Sequence, residues 1–185
     1  MTTHLGRSIR WRLERHRKNA EAVCIRREPL DPFATGAFVV AVAPDLVLLK
    51  DVTDLSADGF KIVRIRDISR IDRRDSERWF EEILRREGIV DDARAPFKID
   101  LSTWKSAIGA IKGQSRNVII EDESPDDDLF VIGKVSRLNA RTLSIRPFDA
   151  VGHWELNDHV IPYSRITAVT FDDRYTTLCS KHVRE

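Results

Sequence analysis

The sequence predicts a mainly β, α+β protein made of two repeated small five-stranded barrels, each preceded by a helix. Three observations lead there. Short apolar runs of period two recur between turn dipeptides such as Pro44-Asp45 and Asp58-Gly59, the mark of successive short strands. The beat of Phe60, Ile62, Val63, Ile65, Ile68 and Ile71 returns late in the chain at Val160, Ile161, Tyr163, Ile166 and Val169. Laying Ile68 on Ile166 places Val63 on Ile161, Ile65 on Tyr163 and Ile71 on Val169, an internal repeat of pattern more than of identity. Five short strands with one apolar face also leave unpaired edges, which closure into a barrel removes.

Taken in order, residues 5–18 form a basic helix whose Leu5, Ile9 and Leu13 make one narrow stripe. Val23 and Ile25 alternate with Cys24 and Arg26 in a first strand ending at Pro29, and Asp31-Pro32 marks a turn. Gly36 to Val42 and Leu46 to Leu49 are strands rich in β-branched and aliphatic residues. Asp58-Gly59 suits the positive φ of a hairpin and leads into the strands around Asp67. A helix capped at Asp75 or Ser76 runs to Glu87, with Trp79, Phe80, Ile83 and Leu84 as its inward face and Gly88 as its stop. Ile89 to Lys98 lacks periodicity and links the halves, giving domains 1–90 and 96–185. Ser102 caps a second helix with Trp104, Ile108 and Ile111 inward. Strands follow at Val118–Ile120, Phe130–Leu138, Thr142–Phe148 and twice within His159–Phe171, then a short helical turn near 172–181. Trp79 and Trp104 are expected to plug the core and the seam between halves.

Composition narrows the functional classes. The 185 residues are 42% hydrophobic and 33% charged, which is ordinary for a globular protein and argues against disorder. A net charge of +1 supplies no global field toward nucleic acid or anionic lipid. Two distant cysteines, Cys24 and Cys179, make no disulfide framework, and no long apolar run marks a membrane segment or secretory signal. The expectation is a cytoplasmic protein.

Ile65-Arg66-Asp67-Ile68 is similar to the second signature of the Sm-like (SH3-like) small barrels, in which an apolar residue, an Arg and a Gly lead into the last strand. Asp67 stands where that pattern has Gly, and Ser164-Arg165 occupies the place in the second half. The first signature, with an Asp and an Asn after strand two, is absent around Pro44-Asp45, and Asn139 is its one counterpart in the second half. The resemblance implies tandem small-barrel topology, and it carries over no ligand-binding residues.

The candidate sites are few. Arg7, Arg10, Arg12, Arg15, Arg17 and Lys18, answered by Glu14, surround the first helix's stripe. Arg7, Arg10, Trp11, Arg15, Arg17 and Lys18 are the candidate nucleic-acid contacts, by phosphate pairing and base stacking. The competing reading is a solvated face on a helix docked through its stripe, which the near-neutral chain favours. The acidic run Glu121 to Asp128 lacks the spacing of a calcium loop and reads as solvated. His153, Asp158, His159, Cys179 and His182 gather toward the C-terminus, yet only Cys179 and His182 have ligand spacing, so no metal site is assigned. No nucleophile elbow, phosphate loop, dinucleotide fingerprint or zinc-protease motif occurs, so neither catalytic residues nor a cofactor are expected. The expected function is a non-enzymatic binding or scaffolding module with a protein partner. The alternatives are an RNA- or DNA-binding protein using the basic helix and an enzyme with a site between the halves.

Overall fold

The computed structural model describes residues 4–90, 93–114, 116–123 and 128–184, with the side chains of residues 4–7 and 53 left out. Two compact units divide the chain between Phe97 and Lys98. The described residues form a mainly β, α+β structure of four α-helices and ten antiparallel strands, and no helix among them is long and apolar enough to cross a membrane.

In the first unit, α1 (His4–Lys18) precedes β1 (Ala22–Arg27), β2 (Asp31–Val42), β3 (Leu46–Asp51) and β4 (Phe60–Arg64). A 3-10 turn over Ile65–Asp67 leads to β5 (Arg70–Asp72) and then α2 (Asp75–Arg86). The strands lie in the order β5-β1-β2-β3-β4. Leu46, Val47, Leu48 and Leu49 are buried in succession. Side chains alternate across a strand, so β3 is covered on both faces. On α1, Ile9 and Leu13 are buried and the helix packs on β2, the 3-10 turn and β5. Leu84 is the fully buried side chain of α2, packed with Ala22, Phe38 and Val90.

In the second unit, α3 (Trp104–Gly113) precedes β6 (Val118–Asp122), β7 (Leu129–Leu138), β8 (Thr142–Pro147), β9 (His159–Pro162), β10 (Ala168–Phe171) and α4 (Arg174–His182). The order is β10-β6-β7-β8-β9. The α3 cap is Thr103, one residue beyond the expected Ser102; its hydroxyl accepts from the Ser106 N–H at 3.1 Å. Trp104, Ala107, Ile108 and Ile111 form the buried face of α3. Ile119 and Ile132 join Phe148 in a cluster closed by Trp154, Cys179 and Val183, so α4 covers its own part of the sheet. Gly133 permits the close approach of β7 and β8: a Cβ there would lie 2.2 Å from the Arg146 carbonyl oxygen.

The turns around Ile65–Ser69 and Tyr163–Thr167 carry similar hydrogen bonds. Ile68 N–H donates to Ile65 O, as Ile166 N–H does to Tyr163 O. Ile65 N–H donates to Asp45 O, and Tyr163 N–H to Arg141 O. Ser69 N–H reaches Arg26 O, and Thr167 N–H reaches Glu121 O. The β2–β3 ladder shifts register between Val39 and Ala41, the β7–β8 ladder between Val135 and Arg137. Such bulges bend a strand and increase its twist.

Neither unit closes into the expected barrel. β4 and β5 share no ladder, nor do β9 and β10. The reason is local. The 3-10 turn, held by the Arg64–Asp67 pair, diverts the chain between β4 and β5. β5 is three residues long, and the Ile71 carbonyl accepts from Arg12 of α1 at 2.5 Å. The α2 face also differs from expectation. Trp79 is 59% exposed and Phe80 is exposed beside it, their ring centroids 5.5 Å apart, because the sheet meets α2 only along the turn bearing Leu84. Val160, expected on the inner beat, is exposed while its neighbour Ile161 is buried, as strand alternation requires.

Ile68 and Ile166 are both buried, so truncating either to Ala is expected to cost about 2–5 kcal/mol. Urea unfolding of each variant measures it; a loss below about 0.5 kcal/mol at either site would show a position that relaxes without a cavity.

Candidate functional site

The second unit carries a groove of about 530 Å³, within the size range of ligand sites. Its walls follow from one turn. After β8 the chain reverses over Asp149–Gly152, where Asp149 accepts from the N–H groups of Val151 at 3.0 Å and His153 at 2.8 Å. Gly152 adopts φ +80°, which glycine reaches without steric cost. The His153 N–H bond holds the Asp149 carboxyl below the usual carboxylate range. The turn is then stitched to the chain beyond α4, where Arg184 N–H donates to Gly152 O at 2.6 Å. Trp154 folds back edge-on against Phe148, centroids 5.5 Å apart, with the Arg146 guanidinium 5.5 Å over its ring.

Ile132 and Phe148, which pack together beneath α4, form the apolar floor. Phe130, 56% exposed, Tyr175, 55% exposed, and Val151 stand at the rim. Polar groups share the lining: Asp149, Glu155, His159, Cys179, His182 and Arg184 also face the groove. His159 Nε2 lies 3.0 Å from a Glu155 carboxylate oxygen, so that pair is mutually satisfied.

The C-terminal candidates are partly brought together. His159, Cys179 and His182 line the same groove. His153 instead faces Asp149 at 3.7 Å, and Asp158 accepts from the Ser136 hydroxyl at 2.5 Å. Among the described residues no three His, Cys, Asp or Glu side chains group closely enough to hold a metal ion. Of the acidic run, residues 124–127 lie outside the described residues; Asp122 is buried and paired with Arg165 at 2.7 Å. Burial pushes the Cys24 thiol up, away from the thiolate that reactivity needs.

The nucleic-acid candidates sit on the outer face of α1. Arg10, Trp11, Arg15, Arg17 and Lys18 are exposed, and the side chains of Arg7 and Leu5 lie outside the described residues. Arg15 covers the Trp11 ring at 5.6 Å, and Arg17 pairs with Glu14 at 3.0 Å. Ile9 and Leu13 point the other way, into the first unit. The exposed basic residues and the apolar stripe therefore occupy opposite sides of one helix, while Arg12 between them helps dock it through the Ile71 carbonyl.

Sequence reasoning reached the groove only through His159, Cys179 and His182, and missed its rim. Phe130 read as an ordinary strand residue, and Tyr175 belonged to a stretch read only as a helical turn. In the structure Phe130 is exposed and precedes three buried positions, Val131 to Gly133, and so marks where cover stops, and no sequence signal separates it from them. No family model, no curated protein and no solved structure matches this chain.

Floor and rim are separable by mutation. Phe148→Ala should destabilise by about 3–5 kcal/mol, whereas Phe130→Ala should stay within about 0.5 kcal/mol of the parent. Thermal or urea melts of the two variants test this; equal losses would mean that Phe130 serves packing and no open rim exists.

Proposed function

We propose that this chain is a cytoplasmic, non-enzymatic binding or scaffolding protein, built from two copies of one Sm-like small unit, whose partner is a protein. The observation carrying the reading is the groove of the second unit, with its apolar floor and exposed Phe130 and Tyr175 rims. Aromatic anchors of that kind are enriched where proteins meet, since they bury large area at low entropic cost. The paired hydrogen bonds at Ile68/Ile65 and Ile166/Tyr163 support the two-copy reading. A protein segment inserting one or two apolar side chains is the occupant the lining suits. Selection of displayed random peptides against the full chain should enrich sequences with aromatic or large aliphatic anchors. Their binding should fall at least about tenfold in Phe130→Ala and Tyr175→Ala, a loss of roughly 1.4 kcal/mol. Enriched peptides indifferent to both variants would remove the groove from the proposal.

A second reading rests on α1, whose exposed Arg10, Arg15, Arg17 and Lys18 flank an exposed tryptophan. A single-stranded RNA tracking that face would lose affinity with salt at a log–log slope of about 0.7 per phosphate neutralised. The first unit also exposes acidic residues, among them Asp45, Asp54, Asp75 and Glu82, which would repel the flanks of a long strand. The expected outcome is no salt-sensitive RNA binding at physiological ionic strength. Micromolar binding abolished by the triple change Arg10→Glu, Arg15→Glu and Arg17→Glu would establish the second reading instead.

A further inference from the structure

His16 is the odd residue of α1. It is 1% exposed on the same buried face as Ile9 and Leu13, although imidazole is polar and titrates near neutrality. Its Nδ1 lies 2.7 Å from a Glu21 carboxylate oxygen just before β1, and its Nε2 lies 3.5 Å from the Arg15 guanidinium. These two neighbours select one state. Nδ1 carries the hydrogen and donates to the carboxylate; Nε2 keeps its lone pair toward the Arg15 N–H.

We infer that the His16–Glu21 contact is an acid-sensitive latch holding α1 on the first unit, and that protonating His16 releases the helix. Protonation turns Nε2 into a second donor pointing at a guanidinium, in a place where water has no access. The surrounding charges do not relieve it. Arg12 and Arg15 flank His16 on its own helix, and the carboxylate of Glu21 is shared with Arg73, 3.6 Å away beyond β5. Arg73 is in turn held by Glu81 of α2 at 2.8 Å, and Glu81 also binds Arg85 at 3.1 Å, so no carboxylate of that network is left to serve His16 alone. Burial, with Arg15 and Arg12 adding to it, outweighs the Glu21 contact and lowers the His16 pKa from its ordinary 6.5. A folded-state pKa below the unfolded one means that the unfolded helix binds the proton more tightly. The stabilisation is therefore complete above pH 6.5 and is lost as pH falls below it toward the folded value. Glu21, lowered from 4.5, withdraws its own contribution only in a more acid range, which separates the two groups.

Release would bare Ile9 and Leu13 together with the β2 surface beneath them. Hydrogen exchange of the full chain at pH 7.5 and 5.5, corrected for intrinsic chemical rates, reads the opening of α1, with α3 of the second unit as internal control. Opening of residues 8–18 should increase by up to about tenfold per pH unit between pH 6.5 and the folded-state midpoint, the limit for one proton, and level off below it, while α3 stays unchanged. His16→Gln, whose amide can donate to Glu21 and accept from Arg15, should hold α1 closed at both pH values. Retention of the acid response in His16→Gln, or flat α1 exchange in the parent, overturns the latch. If the variant fails to fold, the parent alone decides: α1 exchange that rises over the same pH range in which the imidazole titrates by NMR, with a midpoint below 6.5, supports the latch, and exchange that does not follow that titration, or a midpoint at or above 6.5, overturns it.

Discussion

Consecutive buried residues within single strands set the terms for everything else here. Ala37, Phe38 and Val39 in β2, Leu46 through Leu49 in β3, and Val118 through Ile120 in β6 are each buried without a break. A strand points neighbouring side chains to opposite faces, so such runs exist only where both faces are covered. Each unit therefore needs helices and bent strands around a five-stranded sheet. In the first, α1 covers β2 through Ile9 and Leu13 while α2 reaches Phe38 through Leu84. In the second, α3 contributes Trp104, Ile108 and Ile111, and the Ile119–Ile132–Phe148 cluster is closed by Trp154, Cys179 and Val183.

The candidate surfaces are where that cover stops. α4 is a nine-residue helix, and Phe130 and Val151 are left exposed beside its Tyr175. The turn pinned by Asp149 and Arg184 keeps the resulting groove open on a stitched frame. On α1 the cover works in one direction only. Its apolar stripe is spent on docking, and the opposite face is left to arginines that no buried surface requires.

Charge within the first unit has a structural as well as a surface role. Glu21, Arg73, Glu81 and Arg85 join the end of α1, the start of β1 and α2, and Ala22 is held from both sides: its N–H donates to Glu81 and its carbonyl accepts from Arg73. These partly buried contacts are less screened than exposed pairs such as Arg78–Asp75. A chain with a net charge near zero thus still places a partly buried ion-pair network at this junction, beside separate part-buried pairs such as Arg64–Asp67 and Arg165–Asp122.

Much of the secondary structure was legible because it depends on periodicity and turn chemistry. Ile9 and Leu13, Gly59, Gly88 and the Ile65–Ile68–Ile71 beat carry local signals, and the helices and strands fell close to where those signals placed them. What only tertiary structure decided was which apolar residue finds a neighbour. Trp79 and Leu84 belong to the same helical pattern, yet one is exposed and the other buried, since α2 meets the sheet along a single line. Barrel closure failed for the same kind of reason: whether β4 meets β5 depends on the turn between them and on Arg12 from a distant helix. The groove was legible only in part: the sequence gathers His159, Cys179 and His182, but Phe130, Asp149, Tyr175 and Arg184 are brought to them only by the fold. Local patterns specify what each segment can form; contacts between residues far apart in the chain determine which of its faces remain open.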